Sequence, residues 1–159
     1  MGTPLWVPLV ILVIVAVTAF ALWAYLTARR LDRLHIRLDR SRDALQAALD
    51  RRCAVIAVAV PELAARARAA ELIELTPRNL SDRLEAEDAL RADVDKRLLG
   101  GEREGDLEDA DTRVMLALRF YNEAVSDTRA VRLTAPVRLL RLGGTAELPE
   151  YASLSAASV

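Results

Sequence analysis

The residue types that most often carry nucleophilic or metal chemistry occur once each in this chain, as Cys53 and His35. A structural metal site needs about four closely spaced ligands. No cysteine, second histidine or carboxylate cluster stands at such spacing around His35, so it reads as a surface side chain. Cys53 falls on an apolar stripe and reads as a small core residue rather than a reactive thiol. A single cysteine excludes an internal disulfide and fits a reducing compartment. The 23 acids are spread over helix surfaces at charge-pair spacing, the pattern of solvated faces. An acid pair could in principle act as general acid and base, but nothing singles one out. The sequence holds no GxxxxGK(S/T), GxGxxG, GxSxG, HExxH or CxxC motif. Beyond the apolar N-terminal stretch, Phe120, Tyr121 and Tyr151 leave little aromatic surface for a ligand pocket. The expectation is therefore no catalytic, cofactor-binding or metal-ligating residue. With 22 cations against 23 acids, a net charge of −1 also argues against a general nucleic-acid binder, which needs a basic face for phosphates.

Two groups of polar residues remain as candidates for contact rather than catalysis. Arg119, Asn122 and Glu123, within RFYNEAV, could form a patch facing a protein partner. The competing explanation is packing, with the Tyr121 hydroxyl and the Asn122 amide bonding a neighbouring helix or the C-terminal segment. Arg29, Arg30 and Arg33 stand directly after an apolar run, where arginines either touch anionic headgroups or simply fix topology.

These residues must be placed by the elements that carry them, and the first is the uncharged stretch Leu5–Leu26. A helix needs about 20 apolar residues to cross the hydrocarbon core of a bilayer. Trp6 marks one end and Trp23 with Tyr25 the other, where interfacial aromatics belong. The distance from Trp6 to Trp23 is roughly 26 Å at about 1.5 Å per residue. Residues 1–28 therefore read as a transmembrane segment. The run is longer than a signal-peptide core and has no basic residue before it, although Ala19-Phe20-Ala21 resembles a cleavage signal, which leaves export of the domain as a further alternative. Residues 29–42 carry six arginines against two aspartates, whereas residues 1–4 carry no charged side chain. The positive-inside rule then places a short N-terminus outside the cell membrane and the C-terminal part in the cytoplasm.

Helical periodicity resumes at once. Leu31, Leu34, Leu38, Leu45, Leu49, Cys53, Ile56, Val60 and Leu63 line one face of a long helix, with a kink expected near Ala57–Val60 because of Pro61. Thr76-Pro77 announces a second helix, starting between Pro77 and Asp82 and running to Leu99. Its stripe of Leu80, Leu84, Leu90, Val94 and Leu98 is interrupted by Glu87 and Asp88. GGEREG reads as a short mobile linker, and Asp106 as the cap of a third helix. That helix has the most regular stripe: Leu107, Ala110, Val114, Ala117, Tyr121, Ala124, Thr128 and Val131. After Pro136, VRLLRL is a short amphipathic piece that either closes the open end of the bundle or lies on the membrane. Together these elements predict an all-α protein: a single N-terminal transmembrane helix, then an antiparallel helical bundle with a long kinked first helix. The bundle covers residues 29–150, and residues 151–159 form a flexible tail that frays.

RRCAVIAVAVPELAARA, Arg51 to Ala67, resembles the R-R-x-x-x-I-x-x-x-x-P-x-L segment of LemA-family membrane proteins. ALRFYNEAVSDTRAV, Ala117 to Val131, is similar to that family's A-R-R-F-Y-N-x-A-V-x-x-Y-N signature, with Thr128-Arg129 where the signature ends in Y-N. Pro136 through Leu142 to Pro149-Glu150-Tyr151 resembles the family's P…LF…P-x-Y-F ending, with Ala152 in place of the last Phe. The resemblance implies a single-pass membrane protein with a cytoplasmic helical domain. It brings no catalytic residues, and the family's biochemical role is poorly defined. The expected function is a membrane-anchored interaction or scaffold protein, touching membrane lipid and another protein. The alternative is a membrane-tethered hydrolase with an unrecognised site.

Overall fold

In the computed structural model, which describes residues 6–95, 102–134, 137 and 147–154, the apolar stretch and the first amphipathic stripe belong to one helix. This helix, α1, runs unbroken over Trp6–Ala59, 54 residues or about 80 Å at about 1.5 Å per residue. Its two halves differ in surroundings. The apolar window in the first half has none of its residues covered by the rest of the chain. From Leu31 onward, Leu38, Leu45, Leu49, Cys53 and Ile56 are buried. One helix is thus long and apolar enough to cross a membrane, and it is continuous with a core-forming helix.

α1 stops at Ala59, where the sequence predicts a kink. Proline lacks an N–H and its ring crowds the preceding turn, pushing the residue before it out of the helical region. Val60 accordingly has φ −131° and ψ 83°. A 3-10 turn, Pro61–Leu63, leads into α2, Ala64–Glu71, whose Ala67 and Ala70 pack with Cys53, Ile56 and Val60. α3 spans Leu80–Asp95, and the Thr76 hydroxyl accepts the Asn79 N–H just ahead of it. Lys96 to Leu99, the last part of the expected second helix, lie outside the described residues, as do Gly100 and Gly101.

α4 covers Glu102–Arg132, 31 residues, and so begins inside the stretch read as a linker. Asp106 lies in its second turn rather than at a cap. The reason is local: Glu and Arg are good helix formers, and Asp109 and Arg113 add an i,i+4 pair at 2.8 Å. Gly105 is the weak point, costing about 1 kcal/mol relative to alanine. Leu107, Ala110, Val114, Tyr121, Ala124 and Thr128 are buried as the stripe requires, with Leu118 and Val125 widening the face. α4 lies along the second half of α1. Arg37 meets Asp127 at 2.6 Å and Arg52 meets Asp111 at 3.3 Å, so rising numbers on one helix face falling numbers on the other.

Two apolar clusters result. One joins Leu38, Leu45 and Leu49 of α1 to Leu80 and Leu84 of α3 and to Val114, Leu118 and Val125 of α4. The other gathers Ile56, Leu63, Ala67, Leu90, Val94 and Leu107. Ala124 is 1% exposed in the first cluster. Ala124→Leu should therefore overpack it and cost about 1–3 kcal/mol, whereas Glu123→Leu, on the exposed side, should change stability little. Thermal unfolding of both variants measures the difference.

The C-terminal segment departs from the expectation of a fraying tail. Ala152 and Leu154 are buried in the first cluster, at 3% and 5% exposure, and Asn122 of α4 holds the main chain of Ala152. The amphipathic piece after Pro136 lies outside the described residues, apart from Val137, which is helical and buried. Residues 155–159 also lie outside them.

Candidate functional site

Three polar arrangements stand out, and the most buried is one that sequence reasoning missed. Arg83 and Glu87 are fully buried on α3, and Arg52 is 3% exposed on α1. Each occupies a position where the surrounding Leu spacing calls for an apolar residue. Glu87 Oε2 receives Arg52 Nη2 at 2.8 Å, and Oε1 receives Arg83 Nη2 at 2.9 Å. Arg83 also donates to Asp50 at 2.7 Å and to the Ala70 and Ile73 carbonyls, which closes the end of α2. Arg52 reaches Asp111 on α4, and Asp111 takes Arg91 Nε at 3.0 Å. Three guanidinium groups therefore face three carboxylates, and among the described residues no buried side-chain polar atom lacks a partner.

Cys53 borders this centre. Its thiol donates to Glu87 Oε1 at 3.1 Å. Burial first, and then the Glu87 carboxylate, push the thiol pKa far above its ordinary value of 9.0. A thiol held protonated is a poor nucleophile. The chemistry this centre supports is structural: it ties α1, α3 and α4 into one register. The signal for it was present as acids and arginines interrupting apolar stripes.

The second arrangement contains the RFYNEAV residues. Asn122 makes a two-way bond with the main chain of Ala152: its Nδ2 donates to the carbonyl at 2.8 Å, and its Oδ1 accepts the N–H at 2.9 Å. The Tyr121 hydroxyl donates to the Glu150 carbonyl at 3.1 Å. Arg129 donates to the Pro149 carbonyl at 2.9 Å, and Arg132 to the Glu147 carbonyl at 2.8 Å. Arg129 also stacks over the Tyr151 ring at 5.6 Å from its centroid, within the roughly 6 Å reach of a cation–π contact. Burial raises the Tyr121 pKa above 10.0, so the phenol stays protonated as a donor. Of the three residues proposed as a patch, Arg119 and Glu123 pair with each other at 3.2 Å and remain exposed. Asn122 points instead to the tail. Met115, Leu116 and Phe120 are exposed on the same helix.

The third arrangement is the arginine cluster at the end of the apolar stretch. Arg29 lies 4.9 Å over the Tyr25 ring, and Arg33 Nε donates to the Arg29 carbonyl at 3.4 Å. Arg29, Arg30 and Arg33 are all exposed. His35, half-buried, donates from Nδ1 to the Leu31 carbonyl at 2.8 Å. Among the described residues no group of three His, Cys, Asp or Glu side chains is placed to hold a metal ion. Comparison of the chain with protein-family models, curated proteins and solved structures gives no match.

Proposed function

We propose that this chain is a membrane-anchored interaction protein, similar in plan to the LemA family, with residues 1–28 as the anchor and residues 29–150 as an antiparallel helical bundle in the cytoplasm. The observation that carries this reading is the uncovered apolar half of α1, continuous with the half that forms the core. A continuous helix sets the height and orientation of the bundle above the bilayer. Anchoring also raises the effective concentration of a weak binder for partners on the same surface. The exposed Leu116 and Phe120, beside the Arg119–Glu123 pair, supply the kind of mixed apolar and charged surface that a protein partner covers. Arg29, Arg30 and Arg33 support a cytoplasmic orientation and contact with anionic lipid.

The test uses Ala54→Cys, at an exposed position beside the buried native Cys53. A membrane-impermeant maleimide should leave it unlabelled in intact cells and label it after lysis, in a chain of full length that stays with the membrane fraction. Labelling in intact cells, or a chain shortened after Ala21, would overturn the anchored cytoplasmic reading. An alanine scan of exposed Asp, Glu and Arg residues separates the interaction protein from the hydrolase: one all-or-none position with folding intact favours the enzyme.

A further inference from the structure

Two lines of side chains spaced seven residues apart, about two helical turns, flank the outer seam between α1 and α4. On α1 the line is Arg37, Ala44, Arg51 and Val58. On α4 it is Asp127, Phe120, Arg113 and Asp106. Arg37 and Asp127 pair across the seam at 2.6 Å. At the far end Val58 and Asp106 share the wall of a groove of about 290 Å³. Between these ends the Arg113 guanidinium, and after it the Arg51 charge, hold the Asp109 carboxyl below its ordinary pKa. Both lines are exposed along their whole length. The opposite side of the helix pair is the covered one, where Leu45, Leu49 and Val114 meet Leu80 and Leu84 of α3.

The open face is apolar along its middle and charged by helix. Leu116 and Phe120 are 54% and 52% exposed on α4, beside the exposed Ala44 and Ala47 of α1. The α1 edge carries Arg37, Arg40 and Arg51. The α4 edge carries Asp106, Asp109, Glu123 and Asp127, offset only by Arg113. A face of one sign repels its own image, whereas a face with one basic and one acidic edge attracts it when a two-fold axis brings unlike edges together.

We infer that this face is the contact between two copies of the chain, related by a two-fold axis along the membrane normal, with α1 of each copy against α4 of the other. The axis rests on the anchored reading, because copies inserted the same way up admit no other two-fold. Such an axis keeps every residue at its own height, so the register can be read from the single chain. Asp127 is level with Arg37. Phe120, two turns away, is therefore level with Ala44 and meets Ala44 and Ala47 of the neighbouring copy, where small side chains leave room for a ring. Glu123, one turn from Asp127, meets Arg40 of the neighbouring copy. Confinement to one membrane plane raises the concentration at which the copies meet. The motif RFYNEAV then serves two directions: Tyr121 and Asn122 hold the chain's own C-terminal segment, and Phe120 and Glu123 face the second copy.

The full chain is tested in vesicles of neutral lipid, with donor and acceptor dyes on Ser126→Cys, an exposed position off this face; the native Cys53 is buried. Energy transfer should exceed that of chance encounters and fall when unlabelled chain is added. Phe120→Asp should reduce it at least several-fold. Met115→Asp, exposed on the flank of α4 that carries Asn122, should leave it unchanged. Glu123→Arg alone and Arg40→Glu alone should each weaken association, since each sets like charges opposite one another twice. Donor-labelled Glu123→Arg mixed with acceptor-labelled Arg40→Glu should restore transfer to nearly the starting value. Pairing within one chain cannot produce that rescue. Transfer at the chance level, equal loss from Met115→Asp, or no rescue in the mixture would overturn the dimer. Flotation of the chain with the vesicles reads the anchor separately. A chain that floats without specific transfer overturns the dimer alone, and one that does not float overturns the anchored reading and the axis with it.

Discussion

Glu87→Ala should come close to unfolding the helical domain. The carboxylate is fully buried and accepts from Arg52, Arg83 and the Cys53 thiol. Its removal leaves two guanidinium groups inside the protein with reduced compensation. Breaking a buried ion pair by removing one partner costs about 3–5 kcal/mol, mostly the penalty for the charge left behind. Domains of this size have about 5–15 kcal/mol in total. The cost should fall on all three helices together, because Arg52 also holds Asp111 of α4 and Arg83 holds the Ala70 and Ile73 carbonyls. Chemical denaturation followed by circular dichroism measures it. A companion variant sharpens the claim: Arg119→Ala removes one partner of an exposed pair and should shift stability by less than about 1 kcal/mol. Similar shifts for both would show that the buried centre is not what ties α1, α3 and α4 together.

The second large effect is a loss of stability in alkali. Cys53 has a folded-state pKa raised well above its ordinary 9.0, chiefly by burial, and Tyr121 is raised above 10.0 for the same first reason. A group whose pKa is raised on folding contributes its full stability below the unfolded value. It loses that stability as pH climbs towards the folded value. The window therefore opens near pH 9 for Cys53 and near pH 10 for Tyr121. The slope for one such group is at most about 1.4 kcal/mol per pH unit between its unfolded and folded values. The composition makes the effect legible, because Lys96 is the only lysine among 22 cationic side chains and arginine does not titrate in this range. Urea midpoints measured from pH 7 to 11 should fall from about pH 9 upward, and Cys53→Ala should remove the first part of the fall. A midpoint that stays level to pH 11 would mean that neither group is held protonated by the fold.

The elements themselves were largely legible in the sequence. The uncharged run before Arg29 marks a membrane-length helix, whose apolar window the rest of the chain leaves uncovered, and the 3–4 spacing from Leu31 to Ile56 marks the core face of α1, where the buried residues fall. The stripe of α4 was legible for the same reason: a helix displays its buried face at a fixed period, so local order suffices. Helix starts were less so. Glu102 to Gly105 joined α4 although glycines and charges suggested a linker, since propensity and pairing along a whole helix outweigh one glycine.

What the sequence alone determined is thus the helical content, the apolar span, the charge asymmetry around it, and which faces seek a core. Only the tertiary structure decided what those faces meet. In the sequence Glu87 only interrupts the stripe of its helix, because a charge in an apolar stripe is tolerable only when a distant partner neutralises it, and distance in sequence hides the partner: 35 residues separate Arg52 from Glu87. The C-terminal segment looked mobile because nothing in YASL forms an element by itself. Its order comes from Asn122 and Tyr121, about 30 residues away, which supply the hydrogen bonds that an extended chain lacks on its own.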